Sequence, residues 1–142
     1  MMEISDVRRR IRDAIERARR QAVERRTRAD EAARAFEAFL ESTAVPVFRQ
    51  VANVLRIEGY PFTVFTPSGS VRLMSDRSAE DYIEIVLDTS GEAPRVAGRT
   101  RRSRGRRVVD AERTVGSGRP ESLTDEDVLA FLAKELEPFV ER

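Results

Sequence analysis

Residues 4–58 read ISDVRRRIRDAIERARRQAVERRTRADEAARAFEAFLESTAVPVFRQVANVLRIE. The apolar side chains recur at Ile4, Val7, Ile11, Ala14 and Ala18, in steps of three and four, which is the seam of a coiled coil. A further step of four to Ala22 breaks the heptad as a stutter. The seam resumes at Ala29, Ala32, Phe36 and Phe39 and passes through Thr43 to Val47, Val51 and Val54. Between residues 3 and 45 there is no Gly or Pro, and Ala, Arg and Glu, all good helix formers, dominate. The exposed face fits the same reading. Asp6–Arg10, Asp13–Arg17, Glu16–Arg20, Glu24–Arg28 and Asp30–Arg34 each place an acid four residues before an arginine, the favourable orientation for a solvated, self-paired helix.

Pro46 lacks an amide proton and its ring clashes with the carbonyl of Ser42, so the spacing predicts a kink or short break at Ser42–Val45. Phe48, Val51, Ala52 and Leu55 then widen the apolar face enough to pack on a sheet. Gly59 is the natural residue to close the helix after Glu58.

Length turns this helix into a functional expectation. Residues 4–45 alone span roughly 60 Å at 1.5 Å per residue. The hundred or so residues that remain form a body with a radius of gyration of about 13 Å. The helix outreaches that body, and its outer seam needs a second chain. A homo-oligomer is therefore expected, a dimer before larger assemblies. Its interface would be Ile4, Val7, Ile11, Ala14, Ala18, Ala22, Ala29, Ala32, Phe36 and Phe39.

After Tyr60 the period changes from 3.6 to 2. Tyr60–Thr66, Val71–Met74 and Tyr82–Asp88 read as strands, separated by the turn Thr66-Pro-Ser-Gly-Ser70 and the polar stretch Ser75–Glu80. Arg95–Arg101 and Arg107–Thr114 read as a final hairpin around Ser103-Arg104-Gly105. Short connections throughout predict an antiparallel meander of four or five strands. The stretch Val115–Pro120 reads as a linker. Thr124 and Asp127 have capping-box spacing, with Leu123 and Val128 as a hydrophobic staple, so a last helix starts there, and Pro138 is predicted to end or kink it near Glu137. The fold class that follows is α+β: a long N-terminal helix kinked near Pro46, the meander, and a C-terminal helix on the same sheet face. Residues 1–45 are expected to protrude as a coiled-coil-like helix and residues 46–142 to form a small body. The inner face is expected to join Ile83, Ile85 and Leu87 to Leu129, Leu132, Val51 and Leu55.

Composition closes several function classes. The chain has 142 residues with no Cys, His or Trp, which removes disulfides, thiolate nucleophiles, Cys/His zinc sites and histidine acid–base chemistry. No apolar run approaches a membrane span. Met1–Arg10 is charged from the start and has no apolar h-region, so no signal peptide is expected and the cytoplasm is the expected location. The best acidic set is Asp81, Glu84 and Asp88, read as a solvated sheet face. Glu84 and Asp88 share one strand face at about 13 Å, too far apart for a glycosidase pair. No catalytic, cofactor or metal residues are assigned, no cofactor or small-molecule ligand is inferred, and an enzyme is not expected.

One local anomaly points elsewhere. Lys134 is the only lysine among 26 basic residues, and seven arginines crowd Arg95–Arg107 with no acid between them. If Arg104-Gly105 forms the turn, Arg99 falls opposite Asp110, and Arg101, Arg102, Arg104, Arg106 and Arg107 stay unpaired within the hairpin. Such a ribbon, with Arg99 at its base, would lie along a phosphate backbone without reading sequence, since no aromatic is interleaved to stack on bases. The net charge of +1 and a GC-rich coding bias toward arginine both weigh against recognition by charge alone. The expected function is thus a non-enzymatic interaction or scaffold protein that self-associates through its long helix. The alternative is a non-specific nucleic-acid binder that uses the arginine hairpin.

Overall fold

The computed structural model describes residues 1–141. Helix α1 runs Ile4–Phe39, a π turn spans Leu40–Ala44, and helix α2 continues Val45–Ile57. The break expected at Pro46 takes the form of that π turn. Its widening is closed by the Val45 amide donating to the Leu40 carbonyl, immediately before Pro46, whose ring and missing amide proton disfavour an unbroken α-helical turn at this point. The π turn also solves a problem of phase. Phe36, Leu40, Ala44, Phe48 and Ala52 are all buried at steps of four. In an unbroken α-helix such steps drift by about 40° each, and the extra residue of the π turn recovers part of that drift. Gly59, at φ 92°, closes α2 with the hydrogen bonds of a Schellman motif, Tyr60 N–H to Leu55 C=O and Gly59 N–H to Arg56 C=O.

Five strands follow: β1 Phe62–Phe65, β2 Ser70–Ser75, β3 Tyr82–Asp88, β4 Arg95–Arg104 and β5 Arg107–Thr114. They form one antiparallel sheet in chain order. Helix α3 runs Asp125–Val140 behind a complete capping box, in which the Asp127 N–H donates to Thr124 Oγ1 and the Thr124 N–H donates back to the Asp127 carboxylate. It passes through Pro138 instead of stopping at Glu137. Phe139 explains why: it is buried, and its ring meets Phe62 edge-on at 6.3 Å, so tertiary packing outweighs one lost hydrogen bond.

Helices α2 and α3 cover one face of the sheet. Val71, Leu73, Ile83, Ile85 and Val96 meet Phe48, Ala52, Val128 and Leu132 in a single core. Gly98 of β4 gives room to Phe131 of α3, since a Cβ at that position would lie 2.1 Å from the ring. Leu129, expected inside, is 46% exposed, and Val128, Leu136 and Phe139 pack inward with Leu132.

The body reaches only part of the long helix. Phe36 and Phe39, read as interface positions, are 3% and 4% exposed in the core of their own chain. Ala22, Ala29 and Ala32 are half-buried, and α1 rests on the short 3-10 turn Pro120–Ser122. From Ile4 to Gln21 every residue is exposed except the half-buried Asp6. Among the described residues no helix is long and apolar enough to cross a membrane.

Candidate functional site

Three surfaces carry chemistry: the arm at the start of α1, the outer sheet face with the β4–β5 hairpin, and a groove between α2 and α3.

The arm bears a stripe of large apolar side chains open to solvent. Ile4 is 78% exposed and Ile11 56%, with Val7, Ile15 and Val23 exposed beside them. Ile15, a step of four from Ile11, adds a large exposed side chain to the stripe. The acid–arginine pairs expected four residues apart are not made. Among the described residues the ion pair on α1 is Arg9 with Asp6, at 2.7 Å.

The outer sheet face is a ladder of alternating charge. Register places Arg72, Glu84, Arg99 and Glu112 in one row across β2, β3, β4 and β5. Arg72 Nη2 lies 2.8 Å from Glu84 and its guanidinium stacks 4.0 Å over the Tyr82 ring. Arg99 Nε donates to Glu112 at 2.7 Å, and Arg101 Nε to Asp110 at 2.9 Å. Arg95 bridges Asp88 and Glu112, at 3.0 and 2.8 Å. The expected pairing of Arg99 with Asp110 is displaced by two residues, so that Arg99 stands opposite Glu112 and Arg101 opposite Asp110. Gly105-Arg106, not Arg104-Gly105, forms the loop, because Gly105 supplies the positive φ that the first central position of a type II′ hairpin turn requires.

This pairing moves the titration of several groups. The Ser90 hydroxyl and amide, with help from Arg95, hold the Asp88 carboxyl below its ordinary value against the opposing effect of burial. Arg99 does the same for Glu112. In return Glu112 raises the Arg99 guanidinium, and Asp110 raises that of Arg101. The acids read as a solvated face are covered: Asp81, Glu84 and Asp88 are all buried, because arginines of neighbouring strands fold across the sheet and Asp81 accepts hydrogen bonds from the Ser103 amide and hydroxyl. Each carboxylate already holds a structural partner.

The six arginines assigned to one anion-binding hairpin are divided by strand alternation. Arg99 and Arg101 lie on the outer face in ion pairs. Arg102, Arg104 and Arg107 share the helix-side face with Gly98 and Arg113, and Arg106 occupies the turn. Among the described residues these four make no ion pair, and Arg104 stands opposite Arg107 in the ladder, an unfavourable match of like charge.

The third surface was not expected. A groove of about 450 Å³ runs between α2 and α3, with an apolar floor that includes Val51, Val54, Leu55 and Leu129 and with Asp125 and Glu126 at its edge. The signal for it was available in α2: apolar residues at positions 47, 48, 51, 52, 54, 55 and 57 span a wider arc than one sheet contact covers, and Val54 and Ile57 are exposed.

Fold and surfaces together define an α+β protein: a five-stranded meander backed by two helices, one of them prolonged into an arm. Compared with models of known protein families, with curated proteins and with solved structures, the chain matches none.

Proposed function

We propose that this chain is a non-enzymatic interaction or scaffold protein that self-associates through its N-terminal helix. The exposed stripe Ile4, Val7, Ile11 and Ile15 on an arm extending beyond the body supports the reading. Large aliphatic side chains repeated on one side of a helix gain by burial, at about 25 cal/mol per Å², and the arm's own chain offers them nothing to pack against. Light scattering at tens of micromolar is expected to give twice the 16.1 kDa chain mass. A variant carrying Ile4→Ser, Val7→Ser and Ile11→Ser should keep the circular dichroism of the wild type and scatter as a single chain. A wild-type protein with the mass of one chain at that concentration would refute self-association.

A second reading draws on the hairpin tip. Arg102, Arg104, Arg106 and Arg107 lack acidic partners among the described residues, and Arg104 and Arg107 face one another. A polyanion would relieve that repulsion. Affinity for mixed-sequence DNA or RNA should fall steeply with salt, and replacing the four arginines by serine should flatten the slope. Absence of binding at low salt removes this second reading and leaves the first untouched.

A further inference from the structure

We propose that the α2–α3 groove receives residues 4–15 of a second copy of this chain, so that two copies exchange their arms. The proposal rests on the self-association reading and supplies its geometry.

The groove and the arm match in shape. The groove has Val51, Val54 and Leu55 on one wall and Leu129, Ala133 and Leu136 on the other. From Asp125 to Leu136 the α3 wall is about 16 Å long, at 1.5 Å per residue. Ile4 to Ile15 covers the same length of helix. Ile4, Val7, Ile11 and Ile15 fall at steps of three, four and four, the anchor spacing of a helix laid into an apolar groove. Both halves of the contact are exposed in the single chain: Leu129 and Val54 in the groove, the four anchors on the arm.

The two surfaces are also complementary in charge. Asp125 and Glu126 line the groove and, among the described residues, make no ion pair. Arg8 and Arg12 stand three or four residues from Ile4, Ile11 and Ile15, on the shoulder of the stripe, and are likewise without an ion pair among the described residues. An arm seated in the groove brings this basic shoulder to that acidic edge.

The arm that fills the groove comes from another copy, not from the same chain. Ile15 stands about 46 Å from Pro46 along the helix, and α1 is unbroken from Ile4 to Phe39, so an arm cannot fold back onto its own groove. A twofold axis places each arm on the other copy's groove and closes the assembly at two chains.

The chain has no cysteine, which makes the test direct. Ile11→Cys and Leu129→Cys mark the middle of the stripe and the central part of the groove, so their proximity does not depend on the direction in which the arm lies. Both positions are exposed, so neither change disturbs the core. The two full-length variants are mixed, allowed to exchange, and treated with a short thiol-specific cross-linker. The expected result is a cross-linked dimer in the mixture and none with either variant alone. Cross-linking of Ile11→Cys alone, with nothing added by mixing, would mean that the stripes pair with each other; it overturns the groove assignment and leaves self-association standing. No cross-link in any sample, with the mass of a single chain by light scattering, overturns both.

Discussion

Phe36, Leu40, Ala44 and Phe48 occupy one end of the long helix, and Ile4, Val7, Ile11 and Ile15 the other. Both sets are apolar and both repeat at steps of three or four. The first set lies in the core, the second is exposed. The helix has an apolar face at both ends, wider on α2 than on the arm, and the two ends differ most in what lies beside them. The sheet and α3 cover the helix as far out as the Pro120–Ser122 turn and leave the arm bare. Helical periodicity therefore states that a face will be buried, and the length of the neighbouring body decides whether its own chain can do it.

The contrast is sharpened first by Phe48→Ala. Phe48 is fully buried, and truncating a buried phenylalanine costs about 3–5 kcal/mol through lost transfer energy and the cavity left behind. Denaturant unfolding at low protein concentration should show most of that loss. A cost under about 1 kcal/mol would mean that the body does not hold its end of the helix as the packing indicates.

Gly98→Ala comes next. Its Cβ would meet Phe131 at 2.1 Å, so α3 must shift or the ring must leave its place. Overpacking of this kind typically costs about 1–3 kcal/mol. The lowered denaturation midpoint should be the same at every protein concentration, because the contact lies inside one chain. A concentration-dependent loss would tie the sheet to the dimer and blur the distinction between body and arm.

Acid gives a smaller effect with a defined sign. Asp88 and Glu112 have folded pKa values below their ordinary ones. Below the folded value both states are protonated and the contribution is absent. Above the unfolded value both states are ionised and it is fully present. Stability should therefore be level near neutrality and decline as pH falls through and beneath the ordinary carboxylate range. Ser90→Ala, which removes the leading cause at Asp88, should reduce the decline, read as the denaturation midpoint against pH. Both acids are on the body, so a variant with a serine at position 11 of the arm should show the same decline.

Much of this fold is legible residue by residue. Tyr82–Asp88, the Thr124–Asp127 capping box and the Gly59 helix stop rest on local chemistry, and the structure has them where local chemistry places them. What local chemistry missed was decided at a distance. Phe62 and Phe139 carry α3 through Pro138, and the form taken by the expected kink or break before Pro46, a π turn, goes with the shared face of Phe36, Leu40 and Phe48. The surfaces follow the same rule. The arm's stripe was legible because it is helical repetition. The division of the arginines was not, because a one-residue change of hairpin loop moves Arg99 from Asp110 to Glu112. The groove was missed because Leu129 and Val51 read as core, whereas in the fold both line a gap between α2 and α3.

The smallest expected effect bears hardest on the comparison. Ile11→Ser places a polar group on the same kind of stripe that Phe48 occupies, yet Ile11 is 56% exposed in the single chain. Below the concentration at which chains associate, the change should move unfolding of the body by no more than about 0.5 kcal/mol, as at other exposed sites. Ser has a weaker helix propensity than most of the arm's residues, but any fraying it causes lies more than ten residues from Phe36 and stays within the arm. At higher concentration the same variant should dissociate more readily than the wild type, and amide exchange over residues 4–20 should quicken while that of residues 47–57 does not change. A loss of several kcal/mol in the dilute, monomeric protein would show that Ile11 already packs on its own chain, and the two ends of the helix would then differ only in degree.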